Sequence, residues 1–154
     1  MKKTIKTERV LTAFRVLNTA KYTKMSDEDK IKVWKIARAL KPVADKFEDD
    51  SKDAAEKFKP TEDFAERLQK AQEFERMRNA GEDMTNAPMG AAEYGEFLKE
   101  FQKYNQTVGE AVKEFAEKEV EVEFDVLTEE AFGKLMASNE WEMAQTLEIG
   151  QIIL

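Results

Sequence analysis

Residues 119–126 alternate strictly between acidic and apolar side chains, and this segment constrains the fold more than any other. Successive side chains of a strand point to opposite faces, so the alternation predicts a half-buried strand with its acids on the outer face. A lone strand leaves its backbone N–H and C=O groups without partners. The fold must therefore bring a second strand alongside residues 119–126.

Two other segments could supply that second strand. Residues 2–6 carry three lysines, which would form cross-strand pairs of opposite charge with the acids of 119–125, each pair worth roughly 0.2–1 kcal/mol. Residues 149–154 are the alternative, because they are apolar enough to need a partner. The charges favour residues 2–6 and predict a small β-sheet that joins the two ends of the chain.

Two long segments, 26–58 and 91–118, carry apolar residues at spacings of three and four, which predicts long helices with one apolar stripe each. Ser26 would cap the first helix. Pro42 would kink that helix without ending it, since the stripe continues in phase on both sides. Two such helices should pack as an antiparallel pair. The residues expected to touch are Ile36, Leu40, Phe47, Phe97, Phe101 and Phe115.

The other elements are shorter. A helix is predicted from Thr7 to about Tyr22, and a charged surface helix follows a cap at Thr61. Residues 80–90 read as an exposed loop. Thr128 and a capping box that begins at Asn139 should open two short C-terminal helices. The expected fold class is mostly α (α+β), as a single domain over residues 1–154.

Composition limits the chemistry. The chain has no cysteine and no histidine, so it lacks thiolate ligands, the usual general base and the commonest metal ligand. The sequence therefore predicts a protein that is not an enzyme and has no catalytic, metal or cofactor site. An enzyme that works through carboxylates or lysine is the remaining alternative. No signal peptide or membrane-spanning segment is expected, which favours a cytoplasmic location.

Charge is divided unevenly along the chain. Residues 1–46 contain thirteen Lys or Arg against five Asp or Glu, and residues 47–154 contain twelve against twenty-seven. Either the first part contacts nucleic acid, or the two parts pack together and neutralise each other, which is the favoured interpretation. A basic stretch on the second predicted helix could make weak contacts with nucleic-acid phosphates. Its members are Lys30, Lys32, Lys35, Arg38 and Lys41.

Two other clusters have a plain structural interpretation that is favoured over a functional one. An acidic cluster at Glu48, Asp49, Asp50, Asp53 and Glu56 could hold a hard cation, but it has no binding loop, so a solvated helix face is expected. The large aromatic residues, including Trp34 and Trp141, are expected in the core. The apolar surface still exceeds what a helical pair can bury, which predicts a homo-oligomer or another protein as partner.

The arrangement of the chain resembles a family of small uncharacterised proteins of tailed bacteriophages. The resemblance rests on Lys3–Thr7 before a helix beginning at Glu8, on Lys46–Asp50 within a long charged helix, and on the change from helix to alternating strand over 101–123. It implies a phage or prophage origin, a role in virion structure or assembly, and a location either in the host cytoplasm or in the virion. The rival hypothesis is a nucleic-acid-associated protein, or an acidic decoy that modulates a host DNA-binding factor.

Overall fold

The computed structural model describes residues 1–154 and contains six helices and two strands. The mostly helical fold with a small sheet and short C-terminal helices is confirmed. The elements are β1 (Lys2–Lys6), α1 (Thr7–Thr19), α2 (Asp27–Phe58), α3 (Phe64–Asn79), α4 (Ala91–Glu117), β2 (Glu119–Glu123), α5 (Glu129–Ala137) and α6 (Met143–Ile153), with one 3-10 turn at Met84–Asn86.

The chain divides into two compact units. Unit 1 contains Met1–Asp50 and Glu114–Leu154, and unit 2 contains Ser51–Lys113. Helix α2 leads from unit 1 into unit 2, and α4 leads back. Each unit has its own apolar cluster, described below. The single-domain organisation stays a prediction.

Strands β1 and β2 form an antiparallel two-stranded sheet, so residues 2–6 are the partner that the alternating segment requires. The strand ends at Glu123 and is shorter than the predicted 119–126. Val122 and Phe124 are buried while the acids between them are exposed, as the alternation indicates. The small sheet that joins the chain ends is therefore confirmed.

The lysines of β1 do not all face the acids. Lys2 lies opposite Glu123 and Lys6 opposite Glu119, but no ion pair within 4 Å joins them. Lys3 lies opposite Val122 on the inner face. Its Nζ donates a 2.8 Å hydrogen bond to the Ile152 carbonyl, one of the last carbonyls of α6. A cation there satisfies a carbonyl that has no helical partner and interacts favourably with the helix dipole.

Residues 149–154, the alternative strand, are helical instead. Ile149, Ile152 and Ile153 lie in α6 and are almost completely buried in unit 1, since their spacing places all three on one helix face. The Leu127 N–H donates to the Ile153 carbonyl at 2.8 Å, which satisfies a second carbonyl at this helix end. The partner for this apolar run is thus the core and not a strand.

Unit 1 is organised around the apolar stripe of α2. Val33, Ile36 and Leu40 are each at most 2 % exposed and pack in a cluster that draws residues from both strands and from α1, α5 and α6. Ser26 accepts a hydrogen bond from the Asp29 N–H, so the predicted cap is present. The helix continues through Pro42 to Phe58 without a break.

The six-residue contact predicted for the two long helices is wrong in its detail. Ile36 and Leu40 belong to the unit 1 cluster, whereas Phe97 and Phe101 belong to the unit 2 cluster. Helix α2 therefore contributes to the cluster of unit 1, and α4 contributes to the cluster of unit 2. The remaining two residues, Phe47 and Phe115, are half-buried and belong to neither cluster.

Unit 2 packs aromatic rings. Phe64 of α3 lies 5.6 Å from Phe97 and 4.8 Å from Tyr104, measured between ring centroids. The Tyr104 hydroxyl donates to the Ala55 carbonyl of α2 at 2.9 Å. Helix α3 exposes most of its charged side chains and buries Phe64, Ala71, Phe74 and Met77, so it is a surface helix with one apolar face, as predicted.

Two of the predicted helix caps are also wrong. Thr61 does not cap α3, since its hydroxyl bonds to the Asp63 carboxylate at 2.6 Å. Asn139 does not cap α6, because its amide accepts from the Lys21 N–H at 2.8 Å and donates to the Lys21 carbonyl. Thr128 does cap α5, accepting from the Ala131 N–H at 3.1 Å.

The segment 80–90 is mostly exposed but has structure of its own. Gly81 adopts a φ of 68°, which favours glycine, and ends the preceding helix. The Asp83 carboxylate accepts a hydrogen bond from the Thr85 N–H, and that bond lowers the pKa of Asp83. Met89 is buried in the unit 2 cluster and holds the end of the segment in place.

Candidate functional site

The acidic cluster of α2 does not form a cation site. No group of three or more acidic side chains in the structure is arranged to hold a metal ion. Asp50 pairs with Lys46 at 2.6 Å and Glu56 pairs with Lys59 at 2.6 Å. Glu48 also has a partner. The cluster is therefore a solvated helix face with local ion pairs.

A hollow in unit 2 has a volume of about 290 Å³ and is lined in part by Lys59, Glu62 and Tyr104. An uncompensated lysine in such a hollow could bind an anion, but Lys59 is compensated. The hydrogen bond that the Lys59 ammonium group donates to Glu56 raises the pKa of Lys59, and Glu62 lies 3.5 Å from the same ammonium group. Lys59 is already balanced by two carboxylates, and Lys52, the other cation that lines the hollow, also has a partner, so neither charge is free for a ligand.

The most distinctive surface is on α2, on the side away from the core. We call five residues of this side the Trp34 face, and each lies three or four positions from another member: Ile31, Trp34, Lys35, Arg38 and Lys41. Ile31 is 54 % exposed and Trp34 is 56 % exposed. The Arg38 guanidinium carbon lies 4.9 Å from the centre of the Trp34 ring, which is cation–π geometry.

The expectation that Trp34 lies in the core is therefore wrong. Val33, Ile36 and Leu40 form the buried stripe of α2, and Trp34 lies outside it. Trp141 fits the expectation better, because it is partly buried against the unit 1 cluster. Nothing in the core requires a tryptophan at position 34, so its large apolar surface is available to a partner.

Three of the five residues of the predicted basic stretch already form ion pairs. Lys30 pairs with Asp27 at 3.7 Å. Lys32 lies 3.5 Å from an Asp29 oxygen, and Lys41 lies 2.7 Å from Asp45. All of these pairs join residues three or four apart on the same helix. Lys35 and Arg38 are the two members of the stretch without an ion pair.

The charge asymmetry of the chain is thus not removed by direct contact. Residues of 1–46 do pack with 114–154 in unit 1. However, the one ion pair found between 1–46 and the rest of the chain is Lys46–Asp50, within a single helix. The packing of the two parts agrees with the favoured interpretation, whereas the neutralisation of their charges stays a prediction. Uncompensated charges remain on the surface.

A second exposed apolar surface lies on α6, and sequence reasoning missed it. Met143 is 71 % exposed, Leu147 is 60 % exposed and Leu154 is 43 % exposed. Their spacing places them on one side of the helix. Three exposed acids without an ion pair are their neighbours in sequence, two just before α6 begins and one next to Leu147, and we call the whole set the α6 face. These acids are Glu140, Glu142 and Glu148.

Comparison of the chain with family models, with curated proteins and with solved structures finds no match. No helix combines the length and the apolar character needed to cross a membrane. The Trp34 face and the α6 face are therefore the features from which function has to be argued.

Proposed function

We propose that this chain is a non-enzymatic phage or prophage protein that acts through protein–protein contacts in virion structure or assembly. The observation that carries the proposal is the Trp34 face. Tryptophan and arginine are the residue types that most often dominate the binding energy of protein interfaces. Here both are exposed and stacked, and Ile31 lies one helical turn away. The resemblance to phage proteins supplies the biological setting.

The ion pairs of α2 favour a protein partner over nucleic acid. Binding to a duplex depends on the number of phosphates that cations neutralise. Only Lys35 and Arg38 are uncommitted, and each of the other three lysines of the stretch would first have to leave a neighbouring carboxylate. A protein interface needs few charges and a central apolar contact, which Trp34 provides.

The proposal is tested on purified particles of the phage that encodes the chain. We expect mass spectrometry to detect the protein in virions or in assembly intermediates. Replacing Trp34 with Ala should lower its amount per particle, whereas Leu98→Ala, a change at another exposed apolar residue, should not. Absence from particles, together with salt-sensitive retention of the protein on DNA, would support the nucleic-acid hypothesis instead.

A further inference from the structure

The Trp34 face and the α6 face are complementary in chemistry. The first presents two apolar side chains beside the unpaired cations Lys35 and Arg38. The second presents the apolar side chains of Met143 and Leu147, and its acids have no ion pair. Both lie on unit 1, and both are exposed within one copy of the chain. Neither face is therefore satisfied inside the molecule.

We infer that the α6 face of one copy binds the Trp34 face of a second copy. This inference rests on the proposed function and names the chain itself as the protein partner. Burying Trp34 and Ile31 against Met143 and Leu147 removes apolar surface from water on both sides, which drives association. The carboxylates around α6 then lie near Lys35 and Arg38, and opposite charges set the choice of surface.

Pairing of like faces is disfavoured by the same charges. Two Trp34 faces together would bring Arg38 and Lys35 against their own copies. Two α6 faces together would bring Glu142 and Glu148 against the same acids of the other copy. Like charges at an interface suppress the wrong pairing, so contact between unlike faces is preferred.

A contact between unlike faces limits the assemblies that can form. Every copy carries one Trp34 face and one α6 face, so each can bind two neighbours. The copies then close into a ring, close as a dimer with two equivalent contacts, or grow as a filament. All three are forms of assembly that a structural protein can use.

A mixing experiment with two variants tests the contact directly. Trp34→Glu places an acid on the basic face, and Leu147→Lys places a cation on the acidic face. We expect analytical ultracentrifugation to show self-association of the unmodified chain and a rise of at least roughly thirtyfold in its dissociation constant for each variant alone. Mixed together, the two variants should form a one-to-one dimer, because each retains the face that the other needs.

Matched controls separate the contact from folding and from net charge. Leu98→Glu changes an exposed apolar residue of unit 2, and Lys113→Glu changes an exposed charge there, so both should associate like the unmodified chain. Circular dichroism of every variant should show the helical content of the unmodified chain. A variant that has lost helix is replaced by the milder Trp34→Ala or Leu147→Ser.

Three outcomes would overturn the inference: an unmodified chain that stays monomeric, a variant that self-associates unchanged, or a mixture that forms no dimer. The proposed function fails by a different result, namely absence of the protein from particles. A monomeric chain that is found in virions would thus refute self-binding alone. A self-associating chain that is absent from virions would refute the assembly role alone.

Discussion

At the scale of single residues, the clearest anomaly is Ser51. It lies on α2 at the step where the apolar spacing between Phe47 and Ala54 would place another apolar side chain. Its Oγ is buried and has no hydrogen-bond partner. A buried polar group without a partner loses its bonds to water and gains nothing in return.

Replacing Ser51 with Ala should therefore stabilise the protein. We expect the free energy of unfolding to rise by about 1 kcal/mol, since the unpaired hydroxyl is removed and alanine favours helix. Urea unfolding measures the change. Ser138→Ala is the matched control and should destabilise, because the Ser138 hydroxyl accepts from the Lys24 N–H at 2.9 Å and donates to the Lys134 carbonyl at 2.8 Å. A less stable Ser51→Ala variant would show that the hydroxyl has a partner.

At the scale of elements, the periodicity of apolar residues predicted the helices and the strand whose pattern lies within one segment. The long helices and the alternating strand were readable because many residues repeat the same spacing. The run at 149–154 was not, since a short apolar segment fits strand and helix equally well. Caps at Thr61 and Asn139 failed for a related reason: a polar side chain chooses among several backbone groups, and tertiary neighbours such as Lys21 decide the choice.

The hydrogen bond from Lys3 of β1 to α6 gives a prediction that distinguishes Lys3 from the other lysines of the strand. Lys3→Met keeps the apolar stem but removes the bond to the Ile152 carbonyl, so it should cost about 1 kcal/mol of unfolding free energy. Lys2→Met is the control and should change stability little, because Lys2 is exposed and has no ion pair. The denaturant midpoints of the two variants measure these stability changes. Equal losses would mean that the carbonyl bond adds nothing beyond general charge.

At the scale of the whole molecule, the sequence could not reveal the division into two units. The apolar stripes of α2 and α4 look continuous, yet Leu40 and Phe97 serve different cores. The exposure of Trp34 was partly accessible, because a helical wheel places it outside the stripe of Val33, Ile36 and Leu40. The choice of which helix faces are covered depends on distant segments, which local spacing does not encode.

The core of unit 1 can be tested at Leu40, which has no exposed surface. Leu40→Ala should lower the free energy of unfolding by about 2–5 kcal/mol, the range for a buried leucine that leaves a cavity. Leu98→Ala, at a residue 43 % exposed, should cost less than about 0.5 kcal/mol. Both values follow from urea unfolding monitored by circular dichroism. A Leu40 loss as small as that of Leu98 would contradict the assignment of the stripe.

The pairing of β1 with β2 also determines the order in which the protein can form during synthesis. All the residues of unit 2 lie in one uninterrupted stretch, so its contacts become possible once Lys113 has left the ribosome. Strand β1 is made first, but it has no partner until Glu119–Glu123 emerge. Ile152, whose carbonyl accepts the hydrogen bond from Lys3, is synthesised later still. Strand β1 thus waits for neighbours that are made much later, with its backbone groups open to other strands in the meantime.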